Sequence, residues 1–145
     1  ARSLKKGMTQ ERAAELLNVD VTTLRKYETD KGTPSIETVE SMQIIYDVNW
    51  LRYKHFELLD QNKILPALKI TKSLEGATMI FWRELDDVNE KLRHFMKISS
   101  DGVIDEHEIK DSKEFLREVE ELIAAMINLK YAIEDGIKEA EKENR

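Results

Sequence analysis

The sequence predicts an all-α protein in two parts, a group of short helices followed by a long antiparallel helical hairpin. Within residues 1–56, apolar residues recur three or four apart in short runs that turn-forming residues separate. From Thr71 onward the same spacing continues through two much longer runs. Pro66 ends any helix that precedes it, so we expect residues 57–68 to link the first part to a hairpin over residues 69–145.

The first motif is TQERAAELLNVDVTTLRKYETDKGTP, residues 9–34, which predicts a short helix, a three-residue turn and a second short helix. Thr9 is placed to cap the first helix. The inner side of that helix consists of Ala13, Ala14 and Leu17. Asn18 ends the helix, because asparagine tolerates the left-handed backbone that such a turn needs, and Val19 then enters the core. This layout is the spacing of a helix-turn-helix.

The second motif helix is expected from about Val21 to Glu28, with the side chain of Asp20 as its cap. Leu24 and Tyr27 lie three residues apart and face inward. The positions left around the outer side and the amino end are Val21, Thr22, Thr23, Arg25 and Lys26. A helix that presents its first turn to base edges has such an arrangement.

The chain resembles a known family at positions that stand in family order and spacing. These are Thr9-Gln10, Ala14, Leu17, Val19, Leu24, Tyr27-Glu28, Lys31 and Pro34-Ser35. The family is that of lambda-type repressor and Cro helix-turn-helix regulators, often called XRE, and the resemblance covers roughly residues 1–56. It implies a sequence-specific DNA-binding transcriptional regulator whose helix from about Asp20 to Glu28 enters the major groove of double-stranded DNA.

Individual roles follow from the resemblance by position. It implies that Val21, Thr22 and Lys26 touch bases and that Gln10 anchors the first motif helix to a phosphate. Two positions depart from the usual glycine, Asn18 and Asp30. Val21 is apolar where a hydrogen-bonding residue is commoner, although an apolar residue there can touch a thymine methyl. The candidates for phosphate contact are Lys5, Lys6, Arg25, Lys26 and Lys31.

The net charge of −6 argues against binding to nucleic acid until its distribution is considered. Residues 1–56 contain nine Lys and Arg against eight Asp and Glu, whereas residues 57–145 contain fourteen against twenty-one. The acidic excess therefore belongs to the second half. A nearly neutral first half can bind DNA if its cations line one side.

Two further helices complete the predicted helix-turn-helix domain of about five helices. Pro34-Ser35 predicts a turn and an N-cap. The apolar residues of the helix that follows are Ile36, Val39, Met42 and Ile45-Tyr46. Residues 47–56 form another apolar cluster, in which the helical spacing of Trp50 and Tyr53 favours core packing over base stacking.

The second half predicts two long helices joined by a turn. The stripe of the first, over about residues 71–98, is Leu74, Ala77, Phe81, Leu85, Val88, Leu92 and Phe95. The stripe of the second is Leu116, Val119, Ile123, Met126, Ile133, Ile137 and Ala140, interrupted by Lys130. Asp105 and Glu108 have the spacing of a capping box before the second helix.

The second hairpin helix has a wider apolar side than one partner helix covers. Phe115, Leu122 and Leu129 lie beside its stripe, seven residues apart. A hairpin of two helices buries little surface, so it must dock on the first domain or pair with a copy of itself. We expect a homodimer through residues 69–145, with these three side chains at the contact between chains.

The loop between the long helices invites comparison with a calcium-binding loop. KISSDGVIDEHE, residues 97–108, aligns at Gly102, Ile104 and Glu108, but Lys97 occupies the first ligand position. A cation there disfavours calcium, so a turn and an N-cap are the preferred interpretation and no metal is expected. Residues 98–108 also resemble the helical tails of phage-like regulators in this family.

An enzyme finds little support in the sequence. His55, His94 and His107 are scattered, cysteine is absent, and no glycine loop for phosphate is present, so we expect no catalytic residue and no cofactor. The better alternative is a protein-interaction module with a degenerate helix-turn-helix and no specific DNA binding. Nothing identifies a small-molecule effector. Without a long apolar run or a leader segment, the chain is expected to be cytoplasmic.

Overall fold

The computed structural model describes residues 2–5, 7–60, 65–71 and 73–143. Over these residues the structure is helical and has no β-strand, which confirms the predicted all-α class. The α-helices are α1 (Gln10–Leu17), α2 (Val21–Glu28), α3 (Ile36–Tyr46), α4 (Leu51–Leu59), α5 (Leu74–Ile98) and α6 (Ile109–Glu143). Short 3-10 turns cover Arg2–Leu4 and Ser99–Asp101. The chain divides into two compact units, Ala1–Asn62 and Lys63–Arg145, each with its own buried side chains.

The first unit contains the expected helix-turn-helix. The hydroxyl oxygen of Thr9 caps α1 by accepting from the backbone N–H of Arg12 at 3.1 Å. Asn18 then adopts the left-handed conformation, with φ of 52°, and the N–H of Val19 donates to the carbonyl of Ala14 at 3.0 Å. The cap and the turn are therefore as predicted.

The cap predicted for Asp20 is wrong. Its backbone is extended, as at an N-cap, and its carbonyl accepts the N–H of Leu24 at 2.9 Å, but its side chain makes no capping hydrogen bond. The carboxylate is exposed, so water can satisfy its oxygens. Its charge still lies near the positive end of the helix dipole without a direct bond.

The core of the first unit brings together α1, α2 and α3. Its buried members are Ala13, Ala14, Leu24, Met42, Tyr46 and Val48. Leu17, Val19, Tyr27 and Trp50 pack against it from positions that are partly buried. The inner sides predicted for both motif helices are confirmed, and Trp50 packs on the core.

The second unit is the predicted antiparallel hairpin of α5 and α6. The rings of Phe95 and Phe115 stack with their centroids 4.3 Å apart, and Lys91 Nζ lies 2.6 Å from Glu118 Oε1. These contacts identify the facing positions, here called the seam, which repeat at heptad spacing. On α5 they are Ala77, Phe81, Glu84, Val88, Lys91, Phe95 and Ile98. On α6 they are Phe115, Glu118, Leu122, Ala125, Leu129, Ala132 and Gly136.

The sides assigned to α6 from the sequence are reversed. Leu116, Met126 and Ile137, from the stripe expected to face α5, are exposed, whereas Phe115 lies against α5 of the same chain. Two heptad stripes run beside each other on α6, one residue apart, so apolar spacing alone does not separate them. Small seam residues favour the observed choice: Ala125 is buried, and a Cβ at Gly136 would lie 4.0 Å from Leu74 Cδ2.

The turn before α6 contains the predicted capping box. Asp105 Oδ1 accepts the N–H groups of His107 and Glu108 at 2.8 and 3.1 Å, and Glu108 Oε2 accepts the N–H of Asp105 at 3.0 Å. Both carboxylates therefore serve the turn. Gly102 supplies a left-handed residue just before it, with φ of 79°.

The chain that precedes α5 packs on one side of the hairpin. Leu68 is buried, and the N–H of Thr71 donates to Oδ1 of the buried Asn128 at 2.9 Å. This segment therefore belongs structurally to the second unit. Among the described residues no helix is long and apolar enough to cross a membrane.

Candidate nucleic-acid interface

The two sides of α2 differ in their surroundings. Leu24 is completely buried and Tyr27 is half-buried, so the inner side is fixed by the core. On the outer side Thr22, Arg25 and Lys26 are exposed. The helix is therefore held rigidly from behind while its outer side is free to contact a ligand.

Two of the predicted contact residues are less accessible than the others. Val21 is half-buried and packs against the core of the first unit, and Thr23 is also half-buried. Val21 therefore offers only part of its side chain to a ligand. Its packing explains why an apolar residue stands at this position.

Four cations of the first unit are paired with carboxylates. The ion pairs are Arg2–Glu28, Arg12–Glu15, Arg52–Glu40 and Lys54–Glu57. Lys5 Nζ donates to the carbonyl of Ile45 at 2.7 Å, and Lys6 lies outside the described residues.

The remaining cations gather at the second motif helix. Over the described part of the unit, Arg25, Lys26 and Lys31 form no ion pair, and all three are exposed. Unpaired exposed cations are the side chains that phosphate groups attract. Among the described residues of the first unit, the cations without an ion pair or a side-chain hydrogen bond therefore lie on α2 and just after it.

The turn after α2 positions Lys31. Asp30 has φ of 55°, and the N–H of Lys31 donates to the carbonyl of Lys26 at 2.9 Å. Asp30 therefore has the left-handed conformation that often ends a helix. The family usually has glycine at this position because glycine adopts that conformation without strain. Lys31 therefore follows α2 at a fixed place.

Glu28 forms a contact that the sequence did not predict. Its carboxylate accepts hydrogen bonds from the amide of Gln10 and from the guanidinium of Arg2. The hydrogen bond from Arg2 is the main cause that lowers the pKa of Glu28 below its ordinary value, with a smaller contribution from Gln10. One amide hydrogen of Gln10 is thus engaged within the protein, which leaves the other for a phosphate.

No sequence signal marked this contact, because Gln10 and Glu28 are 18 residues apart and lie on different helices. The contact joins the first turn of α1 to the last turn of α2. The angle between the motif helices is therefore braced by a hydrogen bond as well as by the core.

The second unit contains a cluster of three carboxylates, those of Glu84, Glu118 and Glu121, with oxygens within 4.8 Å of one another. Cations accompany the two buried members. Arg83 binds Glu84, while Lys91 and Arg117 bind Glu118. The hydrogen bond from Lys91 is the main cause that lowers the pKa of Glu118. The arrangement is a network of ion pairs, of which Lys91–Glu118 joins the two helices.

The geometry of the first unit defines a class of protein domain. A capped helix, a three-residue turn and a second helix with a buried inner side and a cationic outer side together make a helix-turn-helix domain of the DNA-binding type. Residues 1–51 match the family described as Helix-turn-helix. This match supports the resemblance of the domain to the XRE-type helix-turn-helix regulators, a DNA-binding class.

The match ends before the hairpin begins. No curated protein and no solved structure matches the chain significantly. The resemblance of residues 98–108 to phage-like tails therefore stays a prediction.

Proposed function

We propose that the protein is a sequence-specific transcriptional regulator that inserts α2 into the major groove of double-stranded DNA. The observation that carries the proposal is the coincidence of exposed, unpaired cations with the outer side of the motif helix. The matched family supports DNA binding in general. The exposed hydroxyl and ammonium groups of Thr22 and Lys26 supply the donors and acceptors that base edges require.

The proposed contacts divide into two kinds. Thr22 and Lys26 contact base edges, and the exposed part of Val21 contacts a thymine methyl. The residues assigned to phosphates are Gln10, Thr23, Arg25 and Lys31. Phosphate contacts fix the orientation of the domain on the duplex, while base contacts select the sequence.

The proposal includes a homodimer. Residues 1–56 bind DNA, residues 57–68 connect the two parts, and residues 69–145 pair two chains. A two-fold pair of domains matches a two-fold repeated site, and linking two binding events raises the affinity for that site without new contacts.

Selection from a library of random duplexes tests the function. We expect the chain to enrich a two-fold repeated sequence, and its affinity for that sequence to fall steeply as salt rises. A protein-interaction module with a degenerate helix-turn-helix would enrich no sequence. Failure to enrich any site would therefore contradict the proposal.

Substitutions on α2 then test the residues. Thr22→Ala and Lys26→Ala should each cost about 1–3 kcal/mol in binding to the selected site without changing the thermal melt. Lys31→Ala should weaken all duplexes about equally and reduce the salt slope. Lys97→Ala, an exposed cation on α5, is the control and should leave affinity unchanged in the same gel-shift titration. Full binding by the Thr22 and Lys26 variants would refute this assignment.

A further inference from the structure

The second unit leaves one side of its long helix α6 apolar and uncovered. The exposed residues are Leu116, Ile123, Met126, Ile133 and Ile137. Each of them directly follows a seam residue in the sequence, so together they form a stripe beside the seam. The stripe runs along most of α6.

Helix α5 carries a matching stripe. Trp82 is 67% exposed, Leu92 and Met96 are also exposed, and each directly follows a seam residue of α5. The exposed residues of α5 therefore have the same offset from the seam as those of α6.

The two stripes lie on the same side of the hairpin. Successive residues of an α-helix are about 100° apart, and both helices are right-handed. Because α5 and α6 are antiparallel, a one-residue step turns in opposite senses on the two helices when both are viewed along one direction. Residues that follow the seam on either helix consequently point to one side, here called the apolar flank.

The opposite side of the hairpin has a different character. It carries Arg83, Glu90 and His94 on α5 and Arg117 and Glu121 on α6. The segment before α5 also lies on this side, where Thr71 bonds to Asn128. The long exposed apolar stripes therefore lie on the flank, which no described segment of the second unit covers.

The size of the apolar flank fits a macromolecular partner. Its exposed apolar side chains leave on the order of 900 Å² uncovered, compared with about 800 Å² per partner in an interface of standard size. Monomers seldom expose a continuous apolar patch larger than about 600 Å².

The charge of the flank fits a second copy of the chain. Between Trp82 and Met96 on α5 the flank has no ionisable residue, and on α6 it has only Lys130 between Leu116 and Ile137. Lys130 Nζ lies 2.8 Å from Glu134 Oε1 of the same helix, so its charge is already compensated. A flank without excess charge can meet its own copy without repulsion, and two hairpins then make a four-helix bundle.

We propose that the apolar flank is the surface through which two copies of this chain pair. The proposal specifies the surface of the homodimer proposed above and does not depend on DNA binding. The sequence predicted Phe115, Leu122 and Leu129 at the contact between chains, but these residues belong to the seam, where Phe115 stacks on Phe95 of the same chain. The proposed contact is formed instead by residues of the flank, among them Trp82, Ile123 and Met126.

Sedimentation at tens of micromolar without DNA tests the surface. Met126→Glu places a charge in the flank and should weaken dimerisation about a hundredfold or more. Val103→Glu is the control, because Val103 is 64% exposed in the turn between α5 and α6, outside the stripes of both helices. The wild-type chain and Val103→Glu should sediment as dimers and Met126→Glu as a monomer. A monomeric wild type, or a dimeric Met126→Glu, would overturn the proposal.

Tryptophan fluorescence gives a second measurement that does not alter the flank. Trp50→Phe leaves Trp82 as the only tryptophan. Its emission should shift to shorter wavelength as the protein concentration rises through the dimer range, because pairing removes its ring from water. An emission maximum independent of concentration would contradict burial of Trp82 between chains.

The two proposals can fail separately. If the chain dimerises but selects no DNA sequence, the proposed function as a transcriptional regulator is refuted and the proposed dimer surface is not.

Discussion

The two units of this protein enclose their apolar side chains in different ways. In the first unit, short helices α1, α2 and α3 approach one another from several directions, and Leu24 at their centre is completely buried. In the second unit two long helices meet along a single line, and Met126 beside that line remains 53% exposed. A group of crossing helices closes a core within itself, whereas a hairpin covers one side of each helix and leaves its other apolar side available to a partner.

The largest expected effect is loss of a buried leucine in the first unit. Leu24→Ala should lower the free energy of unfolding by about 2–5 kcal/mol, because surrounding helices prevent collapse of the cavity. Leu122→Ala in the half-buried seam should cost less, since the hairpin can relax around it. Leu16→Ala, at 44% exposure on α1, is the control and should change stability by less than about 0.5 kcal/mol. Denaturant titration of dilute protein measures all three, and equal costs for Leu24 and Leu122 would contradict the contrast.

An intermediate effect on stability is expected when acid protonates Glu28 in the first unit and Glu118 in the second. The pKa values of Glu28 and Glu118 are lowered below about 4.5, chiefly by hydrogen bonds from Arg2 and Lys91. A carboxylate whose pKa is lower in the folded state than in the unfolded state stabilises the protein fully when the pH is above the unfolded-state pKa. This stabilisation is lost as the pH falls through the folded-state pKa.

Matched amides test this acid dependence. Glu118→Gln should flatten the acid loss of stability in the hairpin, and Glu28→Gln should do so in the first unit, each by roughly a few °C in Tm below the ordinary glutamate pKa. Thermal melts followed from neutral pH downward measure the effect. Unaltered acid profiles in both variants would show that these ion pairs do not contribute.

The smallest effects are expected at the helix caps, where the two units should behave alike. Thr9→Ala removes one observed capping hydrogen bond and Asp105→Ala removes two, and each substitution should cost about 1 kcal/mol. Asp20→Ala removes no such bond and should cost only a few tenths of a kcal/mol through the helix dipole. Chemical denaturation distinguishes these values. A cost for Asp20→Ala equal to that for Thr9→Ala would contradict the observed geometry.

Local features were predictable from the sequence because neighbouring residues determine them. The bounds of α2, the cap at Thr9, the left-handed Asn18 and the capping box before α6 depend on contacts within a few residues. The all-α class and the hairpin follow from spacing that extends over many turns. These predictions required no knowledge of which helix lies beside which.

Features that depend on distant partners were not predictable. The contact of Gln10 with Glu28 and the packing of Val21 on the core require the relative positions of several elements. On α6, the choice between neighbouring stripes depended on what α5 presents, and the ring of Phe95 selected Phe115. For the candidate site, the residue types on α2 were predictable, while the pairing of cations elsewhere, which leaves Lys26 available, was not.

The ion pair between Lys91 and Glu118 fixes the alignment of the long helices. A seam of apolar side chains alone could slide by one heptad and still bury similar residues. A slide in one direction would carry Lys91 about 10 Å from Glu118 and bring Glu118 across from Glu84, so two carboxylates would share a buried position. A slide in the other direction would place Glu118 across from the buried Ile98 and away from Lys91. The ion pair therefore fixes how far apart Trp82 on α5 and Met126 on α6 lie along the length of the hairpin.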